Sequence, residues 1–407
     1  MLVVLIAAGA AVSRASDVTI EPALTVSEEY NDNVYLVPDY DPDIITDYIT
    51  RIIPSVHAVY FAPLWDWDVA YAYEYRYYAR HKIREDAQQR LSLLSRTRII
   101  KDFFFLDIKD EYSTVSLFAT KDFYKVSSTA TPYLTQQNIF TVNPYLVFRP
   151  TQRTDLTTGL EYRNVWYEDP VAVDKSVNAL YGDLNNHRTE RLTWTASARY
   201  EKTDTQVLDF THSTFLVGPR LEYKDRSLFW CRLGASRFGG YPDDRNTRPM
   251  WDVGILHSGP TASIRYETAR TWIDDAVRIL RREDRYILSA SKDVERTSLG
   301  ASIAYREYGS GGFSDERRYS SAVSFSHYLT ERLQGLYSVT VDRYERFPVR
   351  STDTTSIGYL TDVRFNYRAN ETLTYSFQYR YADSYSHDVP IDNYENNRII
   401  AEVKKIF

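Results

Sequence analysis

The chain has 407 residues, 49 Lys and Arg against 55 Asp and Glu, a formal net charge of −6 and 26% charged residues. That density of charge excludes a transmembrane helix beyond the first few residues, and its even spread, without a Lys/Arg block, excludes a nucleic-acid partner. The single Cys231 excludes an internal disulfide, and no Cys/His spacing resembles a zinc site.

Leu2 to Val12 is an apolar run, and Ser13-Arg14-Ala15 supplies small residues at the spacing a signal peptidase reads. A secretory signal is therefore expected over residues 1–15 and one domain over 16–407. A buried N-terminal strand is the alternative, although Gly9 and the Ala cluster are poor strand formers. Asp17 to Tyr30 reads as the first strand, followed by a polar loop through Asn31-Asp32-Asn33 and Pro38 to Pro42. Ile45 to Phe61 returns, with a bulge expected at Pro54 because proline removes a ladder donor.

After a turn at Ala62-Pro63 comes WDWDVAYAYEYRYY, Trp65 to Tyr78. Here Trp65, Trp67, Val69, Tyr71, Tyr73, Tyr75 and Tyr77 alternate with Asp66, Asp68, Ala70, Ala72, Glu74 and Arg76. Strand side chains point to opposite faces with period two, so one face is apolar or aromatic and the other charged or small. A soluble antiparallel sheet would show the same alternation. Length and aromatics favour a barrel strand crossing a bilayer, which needs about 9 to 11 tilted residues and carries Trp and Tyr at the headgroups. A one-residue slip would turn Arg76 to the apolar side, at roughly 2 to 4 kcal/mol for a basic residue at the midplane.

Further tight turns are expected at Lys101-Asp102, Pro150 to Arg153, Thr189 to Arg191, Lys224 to Arg226, Ser258 to Pro260, Asp293 to Glu295, Thr330 to Arg332 and Ala369 to Glu371. Between them lie longer polar loops, among them Thr120 to Pro132, Glu168 to Asp183, Gly239 to Arg248, Asp274 to Asp284, Gly309 to Asp315 and Ser384 to Asn393. This rhythm predicts an all-β, transmembrane, antiparallel up-and-down barrel of about 20 strands, with short periplasmic turns and long extracellular loops. Eighteen is the alternative count, because Val177 to Arg188 and Arg285 to Lys292 alternate poorly. An even number sets both termini on the periplasmic side.

The alternation assigns the faces. Trp65, Trp67, Tyr71, Tyr73, Tyr75, Tyr77, Tyr375, Phe377 and Tyr379 are expected to face lipid. Charges of opposite sign two residues apart are expected to face the lumen: Glu74/Arg76, Glu161/Arg163, Arg199/Glu201, Arg220/Glu222, Arg265/Glu267 and Asp362/Arg364, with Arg380 beside them. A dry core could not hold so many charges cheaply, whereas a wet lumen can. They form either a salt-bridge lattice that stiffens the wall or the lining of a pore, and balanced signs argue against strong ion selectivity.

No catalytic pattern emerges, and neither a metal nor a cofactor is expected. The seven histidines are scattered without a metalloprotease spacing, and neither a nucleophile elbow nor a phosphate-binding loop occurs. Asp243-Asp244 and Asp274-Asp275 are paired carboxylates in expected outer loops, the residue type a hydrolase or a cation site uses. Ile273, Ala276, Val277 and Leu280 have helical spacing, so that loop is expected to carry a short amphipathic helix over the rim or into the lumen.

SEEYNDNVYL (Ser27 to Leu36), YRNVWYEDP (Tyr162 to Pro170) and the ending NYENNRIIAEVKKIF (Asn393 to Phe407) resemble the porin-type outer-membrane β-barrel family found with exopolysaccharide and exosortase loci in Gram-negative bacteria. The resemblance runs over nearly the whole mature chain and implies an outer-membrane location and a role in moving or anchoring polysaccharide. Phe407 resembles the terminal aromatic read by the barrel-assembly machinery, with Ala401, Val403 and Lys405 on its face. The expected partners are outer-membrane lipid, that machinery, and polysaccharide or its export proteins. Three functions follow in order: a porin-like channel, a closed scaffold or adhesion barrel blocked by side chains or by Glu168 to Asp183, and an outer-membrane hydrolase.

Overall fold

The alternation becomes strand along nearly the whole chain. The structure is a computed structural model that describes residues 17–38, 40–42, 44–80, 86–117, 134–240, 247–276, 279–310, 313–347, 353–388 and 393–407. The signal-peptide segment 1–15, the Thr120 to Pro132 loop, Asp243 and Asp244 lie outside the described residues. Twenty strands form one sheet. The first ten are β1 (Asp17–Asn31), β2 (Asp47–Phe61), β3 (Trp65–Tyr78), β4 (Asp86–Ile100), β5 (Phe104–Ser116), β6 (Leu134–Thr151), β7 (Thr154–Tyr167), β8 (Lys175–His187), β9 (Leu192–Thr205) and β10 (Phe210–Lys224). The second ten are β11 (Ser227–Gly239), β12 (Arg248–Ser258), β13 (Ala262–Asp275), β14 (Ile279–Val294), β15 (Thr297–Ser310), β16 (Phe313–Tyr328), β17 (Leu333–Arg346), β18 (Thr354–Arg368), β19 (Leu373–Ser386) and β20 (Tyr394–Ile406).

Each strand pairs antiparallel with its chain neighbours, and β1 pairs with β20 from Ala23↔Ile406 to Asn31↔Arg398, which closes the barrel. Closure removes every sheet edge. All nine expected short turns fall between even and odd strands, on the rim that also holds both ends of the sheet. Two of them are one motif: in Thr189-Glu190-Arg191 and Thr330-Glu331-Arg332 the threonine Oγ1 accepts the amides two and three residues on, at 3.0 to 3.3 Å. The side chain thus satisfies donors that a two-strand turn leaves over. At the tighter turns Asp102, Arg226 and Glu295 take up left-handed backbone, with φ of 59°, 61° and 47°.

The seam is clasped at the opposite rim by the amides of Asn31, Asn33, Asn396 and Asn397 together with Asp32. Asn396 Nδ2 donates to Asn31 Oδ1 at 2.7 Å and to the Asn33 carbonyl at 3.1 Å. Asp32 accepts the Asn397 amide and side chain at 2.7 and 2.8 Å. SEEYNDN and NYENNR, far apart in sequence, are the two halves of this clasp.

Four local expectations are corrected. Pro54 makes no bulge: it pairs opposite Leu24 on β1, and on the β3 side the ladder skips from Ile52↔Tyr75 to Ser55↔Ala72 in unchanged register. The expected loop Glu168 to Asp183 stops at Asp174, because β8 starts at Lys175. Its alternation fails in sequence since Val177 and Ala179 point inward and are buried there. Among the described residues the expected amphipathic helix is replaced by strand, as Arg270↔Asp284 through Asp275↔Ile279 are ladder partners. Arg270 clamps that hairpin by donating twice to Asp284 at 2.6 Å, and Trp272 and Leu280 bury against Phe210 and Phe238. The span Gly309 to Asp315 is likewise mostly strand, since β15 runs to Ser310 and β16 starts at Phe313.

Two inward glycines seat aromatic rings. A Cβ on Gly254 would lie 2.2 Å from Trp230 Cζ2, and one on Gly159 would lie 2.7 Å from the Tyr181 hydroxyl. The rings cover backbone that glycine leaves bare. Gly254→Ala is expected to dislodge Trp230 and its 2.8 Å bond to Asp252, lowering stability by about 1 to 3 kcal/mol. Near-ultraviolet circular dichroism and the denaturation midpoint check this; an unchanged Trp230 signature would contradict it.

Candidate functional site: the inner face of the barrel

Followed from strand to strand through the paired residues, Glu74, Arg76, Glu161, Arg163, Arg199, Glu201, Arg220, Glu222, Arg265, Glu267, Asp362, Arg364 and Arg380 all fall on one face. Trp65, Trp67, Tyr71, Tyr73, Tyr75, Tyr77, Tyr375, Phe377 and Tyr379 fall on the other. Nearly all buried strand residues lie on the first face, including Glu29, Arg76, Asp342 and Arg398. A single curved wall buries side chains only where they converge, so the ionic face is concave. Tyr375 and Phe377 expose 44% and 50% of their surface on the convex face. Polar tips there are tied back into the wall, as in Trp65 Nε1 to Ser95 Oγ at 2.8 Å and Tyr379 to Asn397 Oδ1 at 2.8 Å. Ala401, Val403 and Lys405 share this convex face; Lys405 lies at the short-turn rim and donates to Thr372 Oγ1 at 2.6 Å.

The inner charges pair, though only some pair as the sequence spacing implied. Arg76 meets Glu74 at 2.8 Å, Arg199 meets Glu201 at 2.6 Å, and Arg265 meets Glu267. Glu161 instead takes Arg199, two strands away, at 2.7 Å. Asp362 takes Arg380 at 2.7 Å, while Arg364 donates to Gln378 at 2.6 Å. Asp362 with Arg380 and Arg364 with Gln378 are direct cross-strand partners, as near as residues two apart on one strand, while Arg199 reaches Glu161 across β8. Arg220 and Glu222 stay exposed near the short-turn rim.

Sequence reasoning missed several of the most deeply buried charges. Glu29 sits between Arg51 and Arg398 and accepts from Asn31 Nδ2 at 3.1 Å. Arg318 donates to both oxygens of Asp342 at 3.0 and 3.1 Å, and Arg281 meets Glu316 at 2.8 Å. These residues lie toward the rim with the longer connections. Toward the short-turn rim the same face is wet, with Arg90 and His57 side chains 64% and 45% exposed. Among the described residues the inner face is therefore more deeply buried toward the longer connections than toward the short turns.

A chord of chain links two connections at that rim. The β7–β8 connection, residues 168–174, donates from Val173 N to the Ala276 carbonyl at 2.8 Å, reaching the β13–β14 tip. Ala172 and Ala276 bury with Leu117, Val165 and Tyr167, and Val173 packs with Phe210, Phe238, Trp272 and Leu280. His212 stacks on Phe238 at 4.2 Å and lies 3.4 Å from Glu201. Asp274 and Asp275 are the last ladder residues of β13. Among the described residues no cluster of three or more His, Cys, Asp or Glu could hold a metal ion.

In fold the chain is similar to the siderophore receptor PirA from Pseudomonas aeruginosa, with a TM-score of 0.51 and 10% identity over 95% of this chain and 80% of that one. It is similar to the FrpB iron transporter from Neisseria meningitidis at a TM-score of 0.51 and 8% identity, over 95% of this chain and 82% of that one. A BenF-like porin from Pseudomonas fluorescens Pf-5 aligns at a TM-score of 0.48 and 8% identity, over 95% of this chain and 99% of that one. No protein-family model matches the chain, and no curated protein sequence matches it. The architecture is that of outer-membrane β-barrels.

Proposed function

We propose that the protein is a channel-like barrel of the bacterial outer membrane, whose convex aromatic face meets lipid and whose concave ionic face lines a hydrated lumen. The observation that carries this is that charges concentrate on the concave face and exposed aromatic and aliphatic side chains on the convex one around twenty closed strands. Exposed aromatic and aliphatic side chains over the whole convex wall are what lipid, and not water, would cover. Small solutes, or an extruded polysaccharide chain as the sequence resemblance implies, would pass through the lumen. Phe407 would serve as the terminal signal for the barrel-assembly machinery.

The chord from β7–β8 to the β13–β14 tip favours a second reading, in which the barrel is closed and acts as a scaffold or adhesion module. Planar-bilayer recording on purified protein separates the two. Discrete conductance steps with weak ion selectivity are expected, because the inner charges are balanced in sign. Silence in the bilayer would leave the closed scaffold.

A further inference from the structure

The inner charges balance in sign over the lumen as a whole, and one sector departs from that balance. Away from the hairpin tips, the inner face of β13 to β17 carries Arg265, Arg281, Arg285, Arg306, Arg318 and Arg346 against Glu267, Glu283, Glu316 and Asp342. Guanidiniums outnumber carboxylates there by two.

Three of these arginines are consecutive on one register row. Arg285 pairs with Arg306 across β14 and β15, and Arg306 pairs with Arg318 across β15 and β16. Like charges directly opposite each other destabilise a sheet, so the row calls for anions around it. The wall supplies them unevenly. Arg318 is fully engaged, donating to both oxygens of Asp342 at 3.0 and 3.1 Å with its guanidinium over the Tyr344 ring. Arg285 reaches Glu267 at 2.6 Å, but that carboxylate also takes Arg265, and Arg285 Nε is buried without a hydrogen-bond partner among the described residues. Arg306 is the least satisfied of the three. Among the described residues it makes no hydrogen bond, and its one ion contact is Nε to Glu283 Oε1 at 3.7 Å.

The next inner rows toward the short turns hold Ile287, Ala304 and Ser320, then Ser289, Ser302 and Ala322. All but Ile287 are small, so the wall is low beside Arg285 and Arg306, whose side chains are 35% and 27% exposed. Direct cross-strand neighbours have Cβ atoms about 4.5 to 5.5 Å apart, less than the reach of an arginine side chain, so both forks can close on one group. A guanidinium fork is matched by the paired oxygens of a carboxylate or a phosphate. The local excess of positive charge matches a dianion. We infer that Arg285 and Arg306 form a site on the lumen wall for a small dianionic solute bearing carboxylate or phosphate groups, an assignment that rests on the hydrated-lumen reading above. Weak selectivity in simple salt is compatible with it, because the charges of the remaining wall offset this sector.

Isothermal titration of the detergent-purified barrel at low ionic strength, with succinate and separately with inorganic phosphate, tests this without requiring conductance. Saturable binding of at least one is expected, and the tighter of the two tells carboxylate from phosphate. Arg306→Gln and Arg285→Gln are each expected to weaken it about tenfold or more. Arg220→Gln, on the same inner face at the short-turn rim, should leave it within about twofold. Heat-modifiable gel mobility confirms folding of each variant. Urea-unfolding midpoints give a second readout: without added dianion Arg306→Gln is expected to be no less stable than the parent, since a like-charged neighbour is gone, and adding the dianion should raise the midpoint of the parent alone. The assignment is overturned if neither anion binds, if folded Arg306→Gln or folded Arg285→Gln binds like the parent, or if Arg306→Gln lowers the midpoint without dianion. It is equally overturned if Arg220→Gln loses as much binding as Arg306→Gln, which would make the binding a property of the lumen's charge at large. Conductance without dianion binding removes the site and leaves the channel; dianion binding without conductance removes the channel and leaves the site.

Discussion

Replacing Asp169 to Val173 by two glycines is expected to raise single-channel conductance several-fold. Tyr167 and Lys175 end and begin adjacent antiparallel strands, and two residues suffice to join such strands. The connection is thus longer than the topology needs. Its excess reaches over the mouth: Asp169 N donates to Thr135 Oγ1 at 3.0 Å, and Val173 N to the Ala276 carbonyl at 2.8 Å. Removing it exposes the aromatic cluster around Phe238 and Trp272 but cuts no wall ladder, so the barrel should still fold. Bilayer recording beside the parent protein decides; equal conductance would mean that the chord does not limit passage.

Glu29→Ala is expected to destabilise the barrel by about 3 to 5 kcal/mol, the range for breaking a buried ion pair by removing one partner. Glu29 is fully buried, and its loss leaves Arg51 and Arg398 facing each other across the seam without their shared carboxylate. The exposed Glu222→Ala should fall within about 0.5 kcal/mol of the parent. Urea-unfolding midpoints in detergent, read by heat-modifiable mobility, compare the two. Equal midpoints would show that water reaches the Glu29 site.

Strand number and turn positions were legible because each depends on a period of two or on a few turn residues. What was not legible depends on convergence across the barrel. Val177 and Ala179 break the binary pattern of β8 because they are apolar residues on the inner face, set in register between Arg163 and Glu161 of β7 and Thr203 and Glu201 of β9, so a strand looked like a loop. Ile273 and Leu280 mimic helical spacing, yet Trp272 and Leu280 meet Phe210 and Phe238 from strands far along the chain. Glu161 and Arg199 are 38 residues apart, and nothing in a local window selects that partner over Arg163. The meeting of Tyr145 and Tyr181 over Gly159 is hidden for a related reason, since the three share a row only through the pairing of β6, β7 and β8.

The asparagine clasp has a consequence for biogenesis. Its halves, residues 31–33 and 396–397, belong to the first and last strands of the barrel and the chain beside them, so it forms only after the last strand has been made and delivered. A truncated product would present two raw sheet margins and a set of stranded amides, the kind of species that aggregates or is degraded. The same few residues that join the cylinder thereby act as a check on its completeness.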